Sequence, residues 1–190
     1  MRKAVFLDRD GVLNHDPPHF AHRLDQMKMI PGVDDAVKLL KDNGFFLVIV
    51  SNQSGVARGF YDEKQISIFN NALLEEIRKK GGDIDAIYYC PHHPEGVIEK
   101  YRIICNCRKP KPGMILDAAN SHNIDLSQSF FVGDKATDIE TGKNAGVRCF
   151  LVLSGQGKDE VSKVRSGDCQ IAKDLLEAAN EITNQSSGHN

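Results

Sequence analysis

Ala4-Val5-Phe6-Leu7-Asp8-Arg9-Asp10-Gly11 is the stretch that decides the fold. Four consecutive apolar residues that stop at an acidic turn suit a strand buried on both faces, as inside a parallel sheet. The pattern recurs: apolar runs at 45–50, 86–89, 129–132 and 149–153 each predict a strand, and Ile171 marks a weaker sixth. Helical patterns separate them. Pro31-Gly32 precedes Val33, Ala36, Val37 and Leu40 at helical spacing, with Asp34-Asp35 early, Lys38 and Lys41 late, and Asn43-Gly44 as the stop. Asp62 with Gln65 reads as a capping box opening a helix whose apolar face is Ile66, Phe69, Leu73, Leu74 and Ile77, ended by Gly81-Gly82. Pro112 suits the first residue of a helix that buries Met114, Ile115, Ala118 and Ala119. A further helix runs to about Ala145, and Ala172, Leu175, Leu176 and Ala179 make a last one. Alternation of this kind predicts an α/β, Rossmann-like parallel sheet with helices on both faces and right-handed crossovers. Ligands of such sheets lie beyond the carboxyl ends of the strands, near the switch point.

The chain has 190 residues, and 24 Lys and Arg against 26 Asp and Glu leave a net charge of −2, which supplies no broad field for nucleic acid or an anionic bilayer. A chain this long buries about 70% of its unfolded surface, so a single self-sufficient domain is expected over 1–183, with 184–190 as a disordered tail. No apolar run approaches the ~20 residues of a membrane span, and the run after Arg2-Lys3 ends at Asp8, too short for a signal-peptide core. A cytoplasmic monomer without nucleic-acid or membrane partners is the expectation.

Four polar motifs fall at or beside predicted strand ends. Asp8-Arg9-Asp10-Gly11 offers two carboxylates that can divide the work of nucleophile or metal ligand and of acid and base. Ser51-Asn52-Gln53-Ser54-Gly55 offers hydroxyl, amide and backbone N–H groups suited to phosphate oxygens, and Arg58 just beyond can grip an anion bidentately. Arg108-Lys109-Pro110-Lys111-Pro112-Gly113 sets Lys109 before a helix N-terminus, so two sources of positive potential adjoin. Gly133-Asp134-Lys135-Ala136-Thr137-Asp138 puts a carboxylate at a strand end, a natural oxygen ligand for Mg2+. Each motif alone is ordinary turn chemistry. Their coincidence at the ends of parallel strands is not.

Between Cys90 and Pro112 the periodicity fails and Pro, His, Cys and basic residues dominate. Of the five cysteines, Cys90, Cys105 and Cys107 fall close together with His92 and His93, which points to metal rather than disulfide. Three thiolates and one imidazole complete a tetrahedral set for structural Zn2+, although spacing alone does not separate His92 from His93. Cys149 and Cys169, at predicted strand positions, read as buried apolar residues.

The chain resembles the haloacid dehalogenase superfamily of phosphohydrolases from Ala4 to about Leu153. Within it, Asp8-Arg9-Asp10-Gly11, the run from Ser51 through Arg58-Gly59, Cys90-Pro91-His92-His93-Pro94, Cys105-Asn106-Cys107-Arg108-Lys109-Pro110 and Gly133-Asp134-Lys135 closely resemble the heptose 1,7-bisphosphate 7-phosphatase family, whose nearest relatives are the histidinol-phosphate phosphatases. Ser51 stands where many relatives have Thr, and it keeps the hydroxyl. The resemblance implies a Mg2+-dependent phosphatase that removes the 7-phosphate of D-glycero-D-manno-heptose 1,7-bisphosphate in activated-heptose biosynthesis, toward lipopolysaccharide or S-layer glycan. It implies Asp8 as the nucleophile that forms an aspartyl phosphate, Asp10 as the acid and then the base, and Ser51 and Lys109 as the groups that cancel charge. Mg2+ would sit on Asp8, the backbone carbonyl of Asp10 and Asp134, and structural Zn2+ on Cys90, His92, Cys105 and Cys107. Substrate contacts are expected from Asn52, Gln53, Ser54, Gly55, Arg58, Arg108 and Lys135, with the loop at 16–23 as a weaker candidate and Asp138 as a buried hydrogen-bonding partner. Short spans between motifs leave no room for a separate cap domain, so the zinc loop at about 90–108 is expected to wall the pocket.

Two other readings compete. Histidinol-phosphate phosphatase activity is separated by assaying both substrates, and the Asn52-to-Gly59 run favours the sugar. A catalytically inactive, zinc-stabilised binding module predicts no Mg2+-dependent phosphate release, and the presence of both Asp8 and Asp10 speaks against it.

Overall fold

The computed structural model describes residues 1–17 and 20–187. Six strands, β1 (Ala4–Leu7), β2 (Phe46–Asn52), β3 (Ala86–Cys90), β4 (Phe130–Gly133), β5 (Arg148–Val152) and β6 (Gln170–Ala172), form one sheet in the order β3-β2-β1-β4-β5-β6, with every neighbouring pair parallel. The helices are α1 (Val33–Asp42), α2 (Glu63–Lys79), α3 (Gly113–His122), α4 (Ala136–Ala145), the short α5 (Gly157–Glu160) and α6 (Leu175–Ser187).

The first apolar run is continuous because both of its faces are covered. Val5 and Leu7 pack into one core with Val33, Val37 and Leu40 of α1 and Ile182 of α6. Ala4 and Phe6 turn the other way, onto Met114 and Ile115 of α3 and Ile139 of α4. Each such side chain, fully withdrawn from water, contributes roughly 1.5–3 kcal/mol. Helix α2 starts at the expected capping box: Asp62 accepts from the Gln65 N–H at 2.8 Å, and Gln65 accepts from the Asp62 N–H at 3.1 Å. Among the described residues, no helix is long and apolar enough to cross a membrane.

Strand β1 lies between β2 and β4, with Leu7 in register with Ile49 on one side and Val132 on the other. Strand order reverses at this point, so the crevice that a doubly wound sheet offers a ligand opens at the ends of β1 and β4. Asp8 and Asp134 are the next residues after these two strands.

The structure differs from the sequence expectation at the end of β2, the start of α3, the end of α6 and Cys169. Strand β2 continues to Asn52 because β3 pairs with it to the end, Ser51 opposite Tyr89 and Asn52 opposite Cys90. Pro112 caps α3 rather than opening it, since the Gly113 N–H is drawn back to the Asn106 carbonyl at 3.1 Å. Helix α6 runs through Ser187, beyond the expected end at 183, and 188–190 lie outside the described residues. Cys149 is buried in β5 as expected, whereas Cys169 lies just before β6 and is only half-buried.

Candidate active site

Lys109 reaches under the sheet's carboxyl edge and is almost wholly buried between two carboxylates, its Nζ 2.9 Å from Asp8 Oδ1 and 2.6 Å from Asp138 Oδ1. Its backbone is clamped by Asn52, which accepts from the Lys109 N–H at 3.0 Å and donates to the Lys109 carbonyl at 3.2 Å. Burial disfavours the ammonium charge, but Asp138 and Asp8 outweigh it and hold Lys109 above its usual pKa. Burial also raises Asp8, to about 6, against the pull of Lys109. Asp8 Oδ1 accepts from the Arg9 N–H at 2.8 Å as well, and among the described residues Oδ2 has no protein partner.

Asp134 is fully buried beside this group, and its Oδ1 has no hydrogen-bond partner among the described residues. Its Oδ2 accepts from the Gln156 N–H at 2.8 Å. Burial, then the charge of Asp8, pushes Asp134 up to about 8. One oxygen from each of Asp8, Asp134 and Asp138 lies within 4.8 Å of the others. Three buried carboxylates thus lie together beside Lys109, with Lys135 nearby, and the Asp134 oxygen without a hydrogen-bond partner is available to hold a cation. The donors are hard oxygens, which suits Mg2+.

Two glycines make the space. A Cβ built on Gly11 or on Gly155, both at positive φ, falls well inside contact distance of Asp134 Oδ2. We expect Gly155→Ala to cost about 1–3 kcal/mol of stability, because Asp134 or the turn must move. Thermal melts check this, and an unchanged melting temperature would contradict it.

The second carboxylate of the motif, Asp10, is gripped from four sides. Arg9 donates to both oxygens, at 3.1 Å from Nε and 2.8 Å from NH2, Asn14 donates to Oδ1 at 2.9 Å, and Gln53 donates to Oδ2 at 3.1 Å. Gln53 also donates to Ser51 Oγ at 2.8 Å, so the Ser51 proton is left to donate elsewhere. The Tyr61 hydroxyl fixes Gln53 by donating to its Oε1 at 2.8 Å.

These groups border a cavity of about 600 Å³ whose walls include Asp8, Asp10, Ser51, Asn52, Lys109 and Lys135, a size suited to a small molecule. The expected contacts Gln53, Ser54, Gly55, Arg58 and Arg108 are not among its lining residues. Gln53 is turned inward to Asp10, its amide fully engaged, and its backbone N–H is taken by the Cys90 carbonyl. Ser54 is buried and Gly55 packs against the Tyr61 ring. Arg58 lies 2.9 Å from His93, and Arg108 donates to the His92 carbonyl. Neither arginine pairs with a carboxylate among the described residues, and burial together with the charge of Arg58 lowers the Arg108 pKa. Asp16, Pro17 and Phe20 wall the cavity from the loop at 16–23, in which Pro18 and His19 lie outside the described residues.

Lys135 extends over the cavity to Asp16 at 3.0 Å, and Gln156 donates to the same oxygen at 3.0 Å. Burial opposes the Lys135 charge, yet Asp8, Asp134 and Asp16 hold its pKa above the usual value. Gly155, Gln156 and Tyr61 were not singled out from the sequence. Ser154-Gly155-Gln156-Gly157 after the fifth strand carried a usable signal, a glycine-rich turn at another carboxyl end.

The other cluster forms at the end of β3. Cys107 Sγ lies 3.2 Å from Cys90 Sγ, 3.2 Å from Cys105 Sγ and 3.3 Å from His92 Nδ1, and Cys90 lies 3.5 Å from Cys105. One ligand atom from each of the four lies within 4.8 Å of the others, close enough to hold a single metal ion, and three sulfurs with one imidazole nitrogen are a donor set that suits Zn2+. Geometry separates the two histidines: His93 Nδ1 instead accepts from the Glu95 N–H at 3.1 Å.

A family model for HAD-hydrolase-like proteins matches residues 106–178. The chain is 45% identical over 182 residues, 96% of this chain and 94% of the relative, to D-glycero-beta-D-manno-heptose-1,7-bisphosphate 7-phosphatase of Escherichia coli K12. It is 40% identical over 83% of its length, and 86% of the relative, to the alpha-anomer phosphatase of Photorhabdus laumondii. The crystal structure of D,D-heptose 1,7-bisphosphate phosphatase from B. bronchiseptica, complexed with magnesium and phosphate, superposes with a TM-score of 0.86 at 32% identity, covering 96% of this chain and 99% of that one. With the carboxylate pair, the buried lysine and the Cys/His cluster in place, the chain belongs to the heptose 1,7-bisphosphate 7-phosphatase family of the haloacid dehalogenase superfamily.

Proposed function

We propose that this phosphatase hydrolyses the 7-phosphate of D-glycero-D-manno-heptose 1,7-bisphosphate, in heptose biosynthesis, through a phosphoryl group carried on Asp8. The observation that carries the reading is the convergence of Asp8, Ser51 and Lys109 on the crevice at the sheet's switch point, with a carboxylate oxygen of Asp134 within 4.8 Å of one of Asp8.

Asp8 Oδ2, the oxygen without a protein partner, attacks phosphorus as the bond to the sugar oxygen breaks. Asp10 gives that oxygen its proton, then takes one from the water that attacks the aspartyl phosphate, which frees phosphate and restores Asp8. Lys109 and the Ser51 hydroxyl, both at the cavity wall and both fixed by buried neighbours, meet the negative charge of the transferring group. Asp8, the Asp10 carbonyl and Asp134 would hold Mg2+, which when bound would supply the further charge neutralisation that an anionic nucleophile needs to approach a phosphate dianion. Lys135 faces the cavity and contacts the substrate once it releases Asp16. Arg58 and Arg108, neither of which pairs with a carboxylate among the described residues, offer the second phosphate of a bisphosphate a bidentate grip.

Cys90, His92, Cys105 and Cys107 would hold Zn2+ and so pin the loop that carries Arg108, while Lys109 has anchors of its own in Asn52, Val50, Asp8 and Asp138. With four protein ligands the Zn2+ leaves no position for water, so its part is structural.

The test is Mg2+-dependent phosphate release from both anomers of the bisphosphate and from histidinol phosphate. Preferential release from a heptose bisphosphate, leaving the 1-phosphate, is expected. Preference for histidinol phosphate, or no release from any substrate, would overturn the proposal.

A further inference from the structure

Arg9 heads the fully buried side chains by size, only 1% exposed, and the mechanism above gives it no part. We propose that Arg9 is a positioning residue for the acid/base Asp10, fixing the plane of its carboxylate and tying it to the cavity wall. The inference rests on the reading of Asp10 given above.

The guanidinium meets both carboxylate oxygens, Nε at 3.1 Å from Oδ1 and NH2 at 2.8 Å from Oδ2. Two parallel contacts from one rigid fork define a plane, to which Asn14 on Oδ1 and Gln53 on Oδ2 add one contact each. The fork is itself immobilised. NH1 donates to Asn70 Oδ1 at 3.0 Å, NH2 donates to the Ala21 carbonyl at 2.7 Å, and the guanidinium stacks 4.5 Å from the centre of the Phe69 ring. Phe69 and Asn70 are buried residues of α2, and Ala21 follows the cavity-lining Phe20. Arg9 thus joins one helix, one wall of the cavity and one carboxylate that is 14% exposed. Gln53, locked by Tyr61, supports the same carboxylate from the other side.

Arg9→Lys keeps the charge and much of the stem but replaces the fork by a single point. Its readout is leaving-group dependence: a sugar oxygen departs only with a proton, whereas the nitrophenolate of p-nitrophenyl phosphate leaves without one. The experiment compares wild type, Asp10→Asn and Arg9→Lys, with kcat and KM on heptose 1,7-bisphosphate and stopped-flow release of nitrophenolate in the first turnover. Arg9→Lys is expected to lower kcat on the sugar on the order of 10²-fold, with KM within about twofold and first-turnover nitrophenolate release within about threefold of wild type. Asp10→Asn is expected to show the same pattern, more strongly. Equal loss of both reactions would assign Arg9 a general structural role and overturn the proposal, as would an undiminished kcat on the sugar. Should Arg9→Lys not fold, Asn70→Ala takes its place, since it frees the fork and leaves Arg9 intact; the same outcomes then decide. A wild-type protein inactive on both substrates would overturn the phosphatase reading itself, whereas an active wild type beside an unimpaired variant would overturn only the role of Arg9.

Discussion

Asp8→Asn is expected to lower phosphate release on the order of 10⁴-fold or more, the scale of losing a nucleophile rather than a binding contact, while the protein stays folded. An amide at this position offers no anionic oxygen for attack, and no other described carboxylate has the same combination of a free oxygen and an adjoining Lys109. The fold is spared for an electrostatic reason. Burial already raises the Asp8 pKa to about 6, so the ionised side chain is held there at a cost. Lys109 keeps Asp138 at 2.6 Å when Asp8 is neutralised, so no buried ammonium is orphaned. The melting temperature of the metal-free variant should therefore equal or exceed that of wild type. Acid quenching after incubation with labelled substrate should recover phosphoprotein from wild type and none from the variant. Near-normal turnover by Asp8→Asn would end the covalent route.

Cys107→Ala is expected to have the largest effect on stability. The Cys107 sulfur lies within 3.3 Å of the three other donors of its cluster, so its loss takes away one of the four. The connection from 91 to 112 has a single short turn of 3-10 helix and exposes Val97, Ile98, Ile103 and Ile104 to solvent, so its own apolar packing holds it weakly. Metal binding in small zinc domains is on the order of 10 kcal/mol. Forfeiting even a few kcal/mol of this lowers the melting temperature by about 10 °C or more in a chain of this size. Below that temperature kcat should stay within about threefold of wild type, because Lys109 is held independently of the cluster by Asn52, Val50, Asp8 and Asp138. Elemental analysis and thermal melts test both halves. A variant that retains zinc, or that melts with wild type, would remove the cluster from the account of stability.

How far the site was legible follows from what each residue depends on. Asp8, Ser51 and Asp134 are readable because apolar runs announce strands, and a parallel sheet collects its strand ends at one edge. Lys109 is readable as a cation beside that edge, but its burial between Asp8 and Asp138 is not, because Asp138 comes from the far side of the sheet's midline. Gln53 shows the converse. In sequence it belongs to a polar turn that looks like a phosphate loop; in space the end of β2 turns it inward, where Asp10, Ser51 and Tyr61 use every polar atom of its amide.

The chain's local chemistry determined by itself the six strands, the helices between them, the crevice at the switch point and the identity of the groups that could gather there, since apolar period, capping residues and turn glycines act within a few positions of one another. Tertiary contacts decided the rest: which of His92 and His93 turns to the thiolates, that Gly11 and Gly155 together make room for Asp134, and that Arg9 folds inward to Asp10 rather than out to solvent. Those choices rest on partners tens of residues away, such as Asn70 for Arg9 and Gly155 for Asp134. A side chain's direction is set by what it meets across the sheet, and local spacing carries no record of that meeting.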